Sequence, residues 1–219
     1  MDDVFSDPTI RAIVVRTLLV SGAATSVAVL VGVPIGYGIA STRFRARTLL
    51  LSFINTGMGM PPVVVGLAVW LLLVRSGPLG RADLIYTPWA MVLAQFVIAT
   101  PIIIGFTAAS FQALPPLLPD LLVVLGASRL RTIVLLSQEA RLGLLVAVMA
   151  GFGGIVSEVG ASMIVGGNLE RSTRVLTTAI VTETSRGEPE RALALGAVLL
   201  GLSFALNLIL TVVQQRGRP

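Results

Sequence analysis

The 219-residue chain contains no cysteine, no histidine and no lysine. Without cysteine there is neither a disulfide nor a thiolate nucleophile. Without histidine the commonest metal ligand and the usual general base near neutral pH are missing. Without lysine a phosphate-cradling GxxxxGK[ST] loop cannot be completed, and Schiff-base chemistry is excluded. Any ATP that drives this protein therefore binds, with its magnesium, to another chain. No cofactor or metal site is expected on this one. Aromatic residues make up 5% and charged residues 12% of the chain. An enzyme acting inside a membrane would need a nucleophile with a base, and no histidine, lysine or cysteine is present to supply one.

What is present is apolar. Hydrophobic residues make up 55% of the chain, and its mean hydropathy is +0.92. A soluble domain of this length could not hide that surface, so the expected class is a polytopic, all-α membrane protein. All 16 basic residues are arginines, against 11 acids, a net charge of +5. Membrane proteins carry such an excess in their cytoplasmic loops, and no nucleic-acid partner is expected. The first residues, MDDVFSDPTI, are acidic. A cleavable signal peptide would open on a basic region, so the first helix is expected to be an uncleaved anchor.

Five spans are expected, in a single transmembrane domain covering 1–219. Helix one runs over 13–39, with Arg11 and Arg16 in an interfacial or tilted extension. Arg43, Arg45 and Arg47 cluster in the loop that follows. Helix two runs over 49–74, with Pro61 and Pro62 breaking its hydrogen-bond ladder as a packing kink or a pore-facing bend. Helix three runs over 89–110, with a second kink at Pro101, and Gln95 reaches a neighbouring helix. Helix four runs over 142–165 and is rich in glycine and alanine, which lets helices approach closely in lipid. Glu158 near its end is costly unless paired or wet. It pairs with an arginine, caps backbone amides or shapes a gate. A polar, hydroxyl-rich stretch over 166–190 follows, then helix five over 192–213. Placing the loop of Arg43 inside puts arginines 43, 45, 47, 129, 131, 141, 216 and 218 inside and 11, 16, 75, 81, 171, 174, 186 and 191 outside. The count is even, so it does not orient the chain.

The stretch 112–141, QALPPLLPDLLVVLGASRLRTIVLLSQEAR, fits neither a span nor a plain loop. Pro115, Pro116 and Pro119 open it and Gly126 closes its middle, which predicts short helices along the membrane surface, the central one over 117–125. Leu121, Leu122 and Leu125 are expected on one face, free to dock into another protein.

In this stretch Leu125-Gly126-Ala127-Ser128-Arg129 resembles the cytoplasmic loop of permeases in ATP-binding-cassette (ABC) importers. That loop begins Glu-Ala-Ala with a glycine six residues after the glutamate. Here the positions read Asp120-Leu121-Leu122 and Gly126, and Leu136-Ser137-Gln138-Glu139 replaces the family's leucine-proline ending. Pro61-Pro62-Val63-Val64-Val65-Gly66-Leu67 with Ser76-Gly77-Pro78-Leu79-Gly80 looks like the molybdate, tungstate and sulfate branch. Glu158-Val159-Gly160-Ala161-Ser162-Met163-Ile164-Val165-Gly166-Gly167-Asn168 and Thr173-Arg174-Val175-Leu176-Thr177-Thr178-Ala179-Ile180 are most similar to tungstate-type permeases.

The resemblance, which covers roughly 49–210, implies a type I importer permease fold and ATP-driven import of an oxyanion, tungstate first and molybdate or sulfate as alternatives. It implies residence in a prokaryotic cytoplasmic (inner) membrane, with the N-terminus outside and the C-terminus inside. It also implies a complex of two copies of this chain, two ABC ATPase subunits and an external substrate-binding protein. Asp120, Leu121, Leu122, Leu125, Gly126, Ala127, Ser128 and Arg129 would meet the ATPase.

A compact dianion crosses only where hydrogen-bond donors and water replace the low-dielectric barrier. Ser157, Ser162, Asn168, Thr173, Thr177 and Thr178 offer neutral donors, and Gly166 and Gly167 offer backbone amides. The block 158–178 is expected to form the outer gate, within an external segment reaching 190. Arg174 there either concentrates anions or latches onto Glu158, unless the block is merely a solvated helix with its own salt bridges. A secondary transporter would show related halves and an intramembrane relay, which are not seen, and a membrane scaffold is the plainest alternative.

Overall fold

The computed structural model describes residues 8–42 and 44–216, the last by its backbone alone. The acidic opening residues, Arg43 and Arg218 of the expectations above lie outside the described residues. The described residues form ten α-helices and one 3₁₀ turn (Gly80–Ala82), with no strand among them.

Helix α1, Pro8–Ser41, is 34 residues long. At 1.5 Å per residue it measures roughly 50 Å, well beyond a bilayer core. It runs through Pro34 without ending, and its buried stripe is small: Ser21, Ala24, Ala28, Gly32 and Gly36. The stripe faces α4, Pro88–Gln112, the most central helix. A Cβ on Gly36 would lie 2.7 Å from Thr107 Cβ, and one on Gly32 would lie 2.9 Å from Ile103 Cγ2. The contact therefore exists because these two positions lack side chains. Helix α4 starts where Pro88 sets the first turn and Thr87 accepts from the Ala90 amide at 3.4 Å. It continues unbroken through Pro101, whose ring lies 3.0 Å from where a Gly57 Cβ would stand.

The second expected span is two helices, α2 (Arg47–Met58) and α3 (Pro62–Leu73), bent by 100° at the Gly59–Pro61 break. Pro61 and Pro62 cannot donate to the ladder, so the chain turns there and Pro62 starts afresh at a helix N-terminus. This is a break, sharper than the expected kink. Helix α5, Leu118–Val124, and α6, Arg129–Glu139, follow α4. Helix α6 meets α7, Arg141–Val156, at a 70° bend.

The fourth expected span, 142–165, is a correction. The chain leaves helical geometry at residues 157–159 and resumes as α8, Gly160–Gly166. The reason is local: Ser157 Oγ donates back to the Gly153 carbonyl, and the Glu158 carboxylate takes the Ala161 amide at 2.9 Å, starting a new helix. Helix α8 crosses α3 so closely that a Gly66 Cβ would stand 2.6 Å from Ala161 Cα.

Helix α9, Leu176–Ser185, lies within the stretch too polar to span, and α10, Pro189–Arg216, completes the chain. Three helices (α1, α4 and α10) are long and apolar enough to cross a membrane, and counting each bent pair as one span gives five. One core cluster joins Ala24 and Ala28 of α1, Val65 and Val69 of α3, Ala94 and Ile103 of α4, Ile155 of α7 and Ala161 of α8. Leu193, Leu200 and Phe204 of α10 and Leu49 and Phe53 of α2 are exposed. Such bare apolar faces are stable against acyl chains and not against water.

Candidate functional site

Two regions gather the residues singled out in the sequence. The first is the α5–α6 corner. Leu118 and Leu122, one turn apart, turn inward against Phe111, Leu136 and Ala140. Leu117 (76% exposed), Leu121 (54%), Val124 (84%) and Leu125 (74%) turn outward. The expected shared face of Leu121, Leu122 and Leu125 is thus split. Leu121 and Leu125 stay out, while Leu122 anchors the helix, because 100° per residue carries position 122 onto the side of Leu118.

Gly126 has φ +83°, and no atom lies within 4 Å of where its Cβ would be. Its amide donates to the Val123 carbonyl at 2.9 Å, and the Ala127 amide donates to the Leu122 carbonyl at 3.0 Å. That pair of bonds is a Schellman C-cap, with Gly126 in the left-handed position. Two residues later Ser128 caps α6, its Oγ accepting from the Arg131 amide at 3.4 Å and its carbonyl from the Thr132 amide. Arg129 opens α6, exposed like Ser128. Exposed Asp120 sits in the first turn of α5, where an acid suits the helix dipole. Behind α5 is a cavity of about 490 Å³ between Tyr37, Arg47, Phe111, Pro115 and Asp120.

The second region is the block 157–186. The hydroxyls of Ser162, Thr173, Thr177 and Thr178 are buried, while Ser157 is exposed and bonds back to its own helix. Thr177 donates to the Glu158 carbonyl at 3.0 Å and Thr178 to the Val175 carbonyl at 3.1 Å. Thr173 donates to the Gly166 carbonyl and receives the Leu169 amide. Gly167 (φ +67°) and Asn168 (φ +49°) turn the chain after α8, and Asn168 Nδ2 donates to Thr182 Oγ1 at 2.7 Å. These groups, expected to face an anion, are committed to holding the fold of the turn. Ser162 is buried and takes the Gln95 amide at 3.4 Å, so Gln95 does reach a neighbouring helix.

The Glu158–Arg174 latch is not formed. Arg174, 9% exposed, lies 3.6 Å from Glu170 and 3.4 Å from Asn168 Oδ1, while Glu158 caps α8. Of the three readings of Glu158, amide capping describes it. The salt bridges Arg174–Glu170 and Arg186–Glu183 are internal to the block, as the plainer account expects, but residues 173–179 are buried, so the block is not a solvated helix. Glu170, Arg174, Glu183, Arg186 and Arg191 nonetheless line one cavity of about 340 Å³ with the start of α1.

Arg16 is the residue that sequence reasoning missed. From α1 it donates to the Arg174 carbonyl at 2.8 Å and the Arg171 carbonyl at 3.0 Å. Beside it Thr17 Oγ1 receives the Leu176 amide at 2.9 Å. Together they staple the turn before α9 onto α1. The signal was available: an arginine within an apolar helix must find acceptors. The Tyr86 amide, which bonds the Val165 carbonyl at 2.9 Å, had no such signal.

With this geometry in hand, comparison with known proteins is specific. The family described as "Binding-protein-dependent transport system inner membrane component" matches residues 32–219. A "Probable anion ABC transporter permease protein" of Haloferax volcanii is 41% identical over 196 residues, covering 87% of this chain and 84% of the relative. A "Tungstate uptake system permease protein TupB" of Peptoclostridium acidaminophilum is 38% identical, covering 95% and 92%. A second TupB, from Campylobacter jejuni, is 36% identical, covering 76% and 70%. Among solved structures, a chain of the MetNI methionine ABC transporter in inward-facing conformations superposes with a TM-score of 0.78 at 15% identity, covering 96% of each chain, a likeness of fold. The all-helical architecture, with three to five apolar spans among the described residues, is therefore that of a type I ABC importer permease, and the chain belongs to the family of binding-protein-dependent transport system inner membrane components.

Proposed function

We propose that this chain is the membrane-spanning subunit of an ABC importer that carries tungstate into the cytoplasm. The substrate rests on the two TupB relatives, which cover most of both chains. The observation that carries the mechanism is α5: a short helix, anchored by Leu118 and Leu122, glycine-capped, with Leu117, Leu121, Val124 and Leu125 bare. In this reading 112–141 lies in the cytoplasm, the N-terminus is outside and the C-terminus inside. Two copies frame the path, since one bundle of five spans encloses little space. Two ATPase subunits bind ATP and magnesium, and an external protein delivers the anion. ATPase closure draws the two α5 helices together. The 70° α6–α7 corner passes that movement into the bundle as a rigid-body rotation.

The outer block then acts as a gate through its backbone. Its side-chain donors are bonded within the turn, so it opens as a unit, and Arg174 and its neighbours set the charge of the mouth. Reconstituting the chain with its ATPase and binding protein in proteoliposomes tests the reading. ATP-dependent accumulation of tungstate, saturating at lower concentration than molybdate or sulfate, is expected. Accumulation without ATP, or a preference for sulfate, would overturn it.

A further inference from the structure

We infer that one face of α2 lines the anion path, with Ser52 and Asn55 supplying the donors that the outer block withholds. Thr48, Ser52, Asn55 and Gly59 follow one another at spacings of four, three and four, one face of a helix, and all four are exposed. Thr56 borders this face, its Oγ1 returned to the Ser52 carbonyl at 2.8 Å. The opposite face is buried, with Ile54 packed on Ile39 and Ile104. The polar side of α2 therefore points away from the bundle. Among the described residues the side chains of Ser52 and Asn55 have no hydrogen-bond partner.

The polar face stands at membrane depth. At the start of α2, Arg47 Nε donates to the Ile39 carbonyl near the end of α1 at 3.1 Å. At the other end Gly57 meets Pro101 of α4, and Met58 meets Gly105. Pro101 is about midway along Pro88–Gln112, roughly 18 Å from either end at 1.5 Å per residue. Helix α2 thus climbs beside α1 and α4 towards the middle of the bundle and does not lie flat on its surface. An exposed carboxamide at that depth cannot face acyl chains, which take none of its hydrogen bonds. It faces water and a polar solute.

Where the polar face ends, protein closes the path. Val63, just past the α2–α3 break, fills the space where a Gly160 side chain would stand, just past the α7–α8 break. The two breaks therefore meet. Thr177 ties the Glu158 carbonyl at this junction to the outer block. The Glu158 carboxylate, held on the Ala161 amide, repels a dianion there. The anion is therefore met on the α2 side of the junction, by the Ser52 hydroxyl and the Asn55 amide. Neutral donors of this kind hold an ion weakly enough for it to leave. A second copy facing this one across a two-fold axis supplies the same donors from the other side.

The inference rests on the importer reading above, and it is tested in the complete complex in proteoliposomes. The chain has no cysteine, so single cysteines at 52 and 55 on α2, and at 200 and 204 on α10, report alone. A water-soluble, negatively charged thiosulfonate reagent, applied on both sides, should modify 52 and 55 at least about ten-fold faster than 200 and 204, because thiols in hydrocarbon stay protonated. Tungstate, with ATP and the binding protein, should slow modification at 55. Asn55→Leu should cut tungstate uptake about ten-fold, the worth of one hydrogen bond to a charged group, and Asn55→Gln should cut it less. Equally slow modification at all four positions would overturn the inference. So would a disulfide between copies at 52 or 55 without reaction with the reagent, which would make this face a dry contact. Full uptake with Asn55→Leu would overturn the contact with the anion. Fast modification at 52 and 55 in a complex that does not import tungstate would uphold the path and overturn only the choice of anion.

Discussion

Gly126→Leu isolates the α5 turn from the rest of the protein. Position 126 sits at φ +83° with open space around the missing Cβ, so the substitution creates no clash. Its cost is conformational, about 1–2 kcal/mol for a side chain in the left-handed region. Helix α5 contributes no fully buried residue, so that cost falls on the local order of the turn and not on the bundle. A penalty of this size lowers the ratio of capped to uncapped turn by roughly 5- to 30-fold. Binding-protein-stimulated ATPase activity and uptake should fall, by at most that factor, at limiting ATPase concentration, while membrane content and melting temperature stay near those of the unaltered protein. Gly126→Asn, which tolerates the left-handed region, should retain more coupling than Gly126→Leu. Full stimulation and uptake with Gly126→Leu would refute the reasoning and leave the turn a tether.

Further outcomes follow from other contacts. Arg16→Ala removes two charge-assisted bonds to the carbonyls of 171 and 174 and should loosen that turn by about 2 kcal/mol. Faster hydrogen exchange over 169–176 checks it, and unchanged exchange would show that the staple is idle. The charge swap Glu158→Arg with Arg174→Glu should not restore the uptake lost in either single variant, because the two groups serve different partners. Rescue by the double swap would reinstate a latch. Gly66→Val drives a side chain into Ala161 at the α3–α8 crossing and should cost about 1–3 kcal/mol. A melting temperature equal to that of the unaltered protein would show that the crossing can relax.

The sequence made the apolar spans and the α5 corner legible because both rest on local signals. Long apolar runs define spans, and prolines at 115, 116 and 119 with Gly126 bracket one short helix: 117–125 was expected and Leu118–Val124 is found. The 142–165 span was misread because residues 142–156 and 160–166 are both apolar. The break between them arises from hydrogen bonds of Ser157 and Glu158, which hydropathy does not register. The outer block was legible as a unit but not in its wiring. Thr173 reaches the Gly166 carbonyl across a turn set by Gly167 and Asn168, and Arg16 reaches the Arg171 and Arg174 carbonyls from a helix more than 150 residues earlier. Pairings across that separation leave no periodic trace. The inward turn of Leu122 could have been read from its one-turn spacing with Leu118, since both lie on the side that faces α4.

The claim that α5 receives the push of the ATPase is tested most directly by cross-linking. The chain carries no cysteine, so single cysteines at 121 and 125 on the bare face of α5, and at 193 and 200 on α10, report without background. In the reconstituted complex, cysteines 121 and 125 should join the ATPase subunit through a short thiol cross-linker, with a yield that changes on ATP binding, while 193 and 200 should not join it. No cross-link from 121 or 125 to the ATPase, in a complex that still imports the anion, would contradict the account.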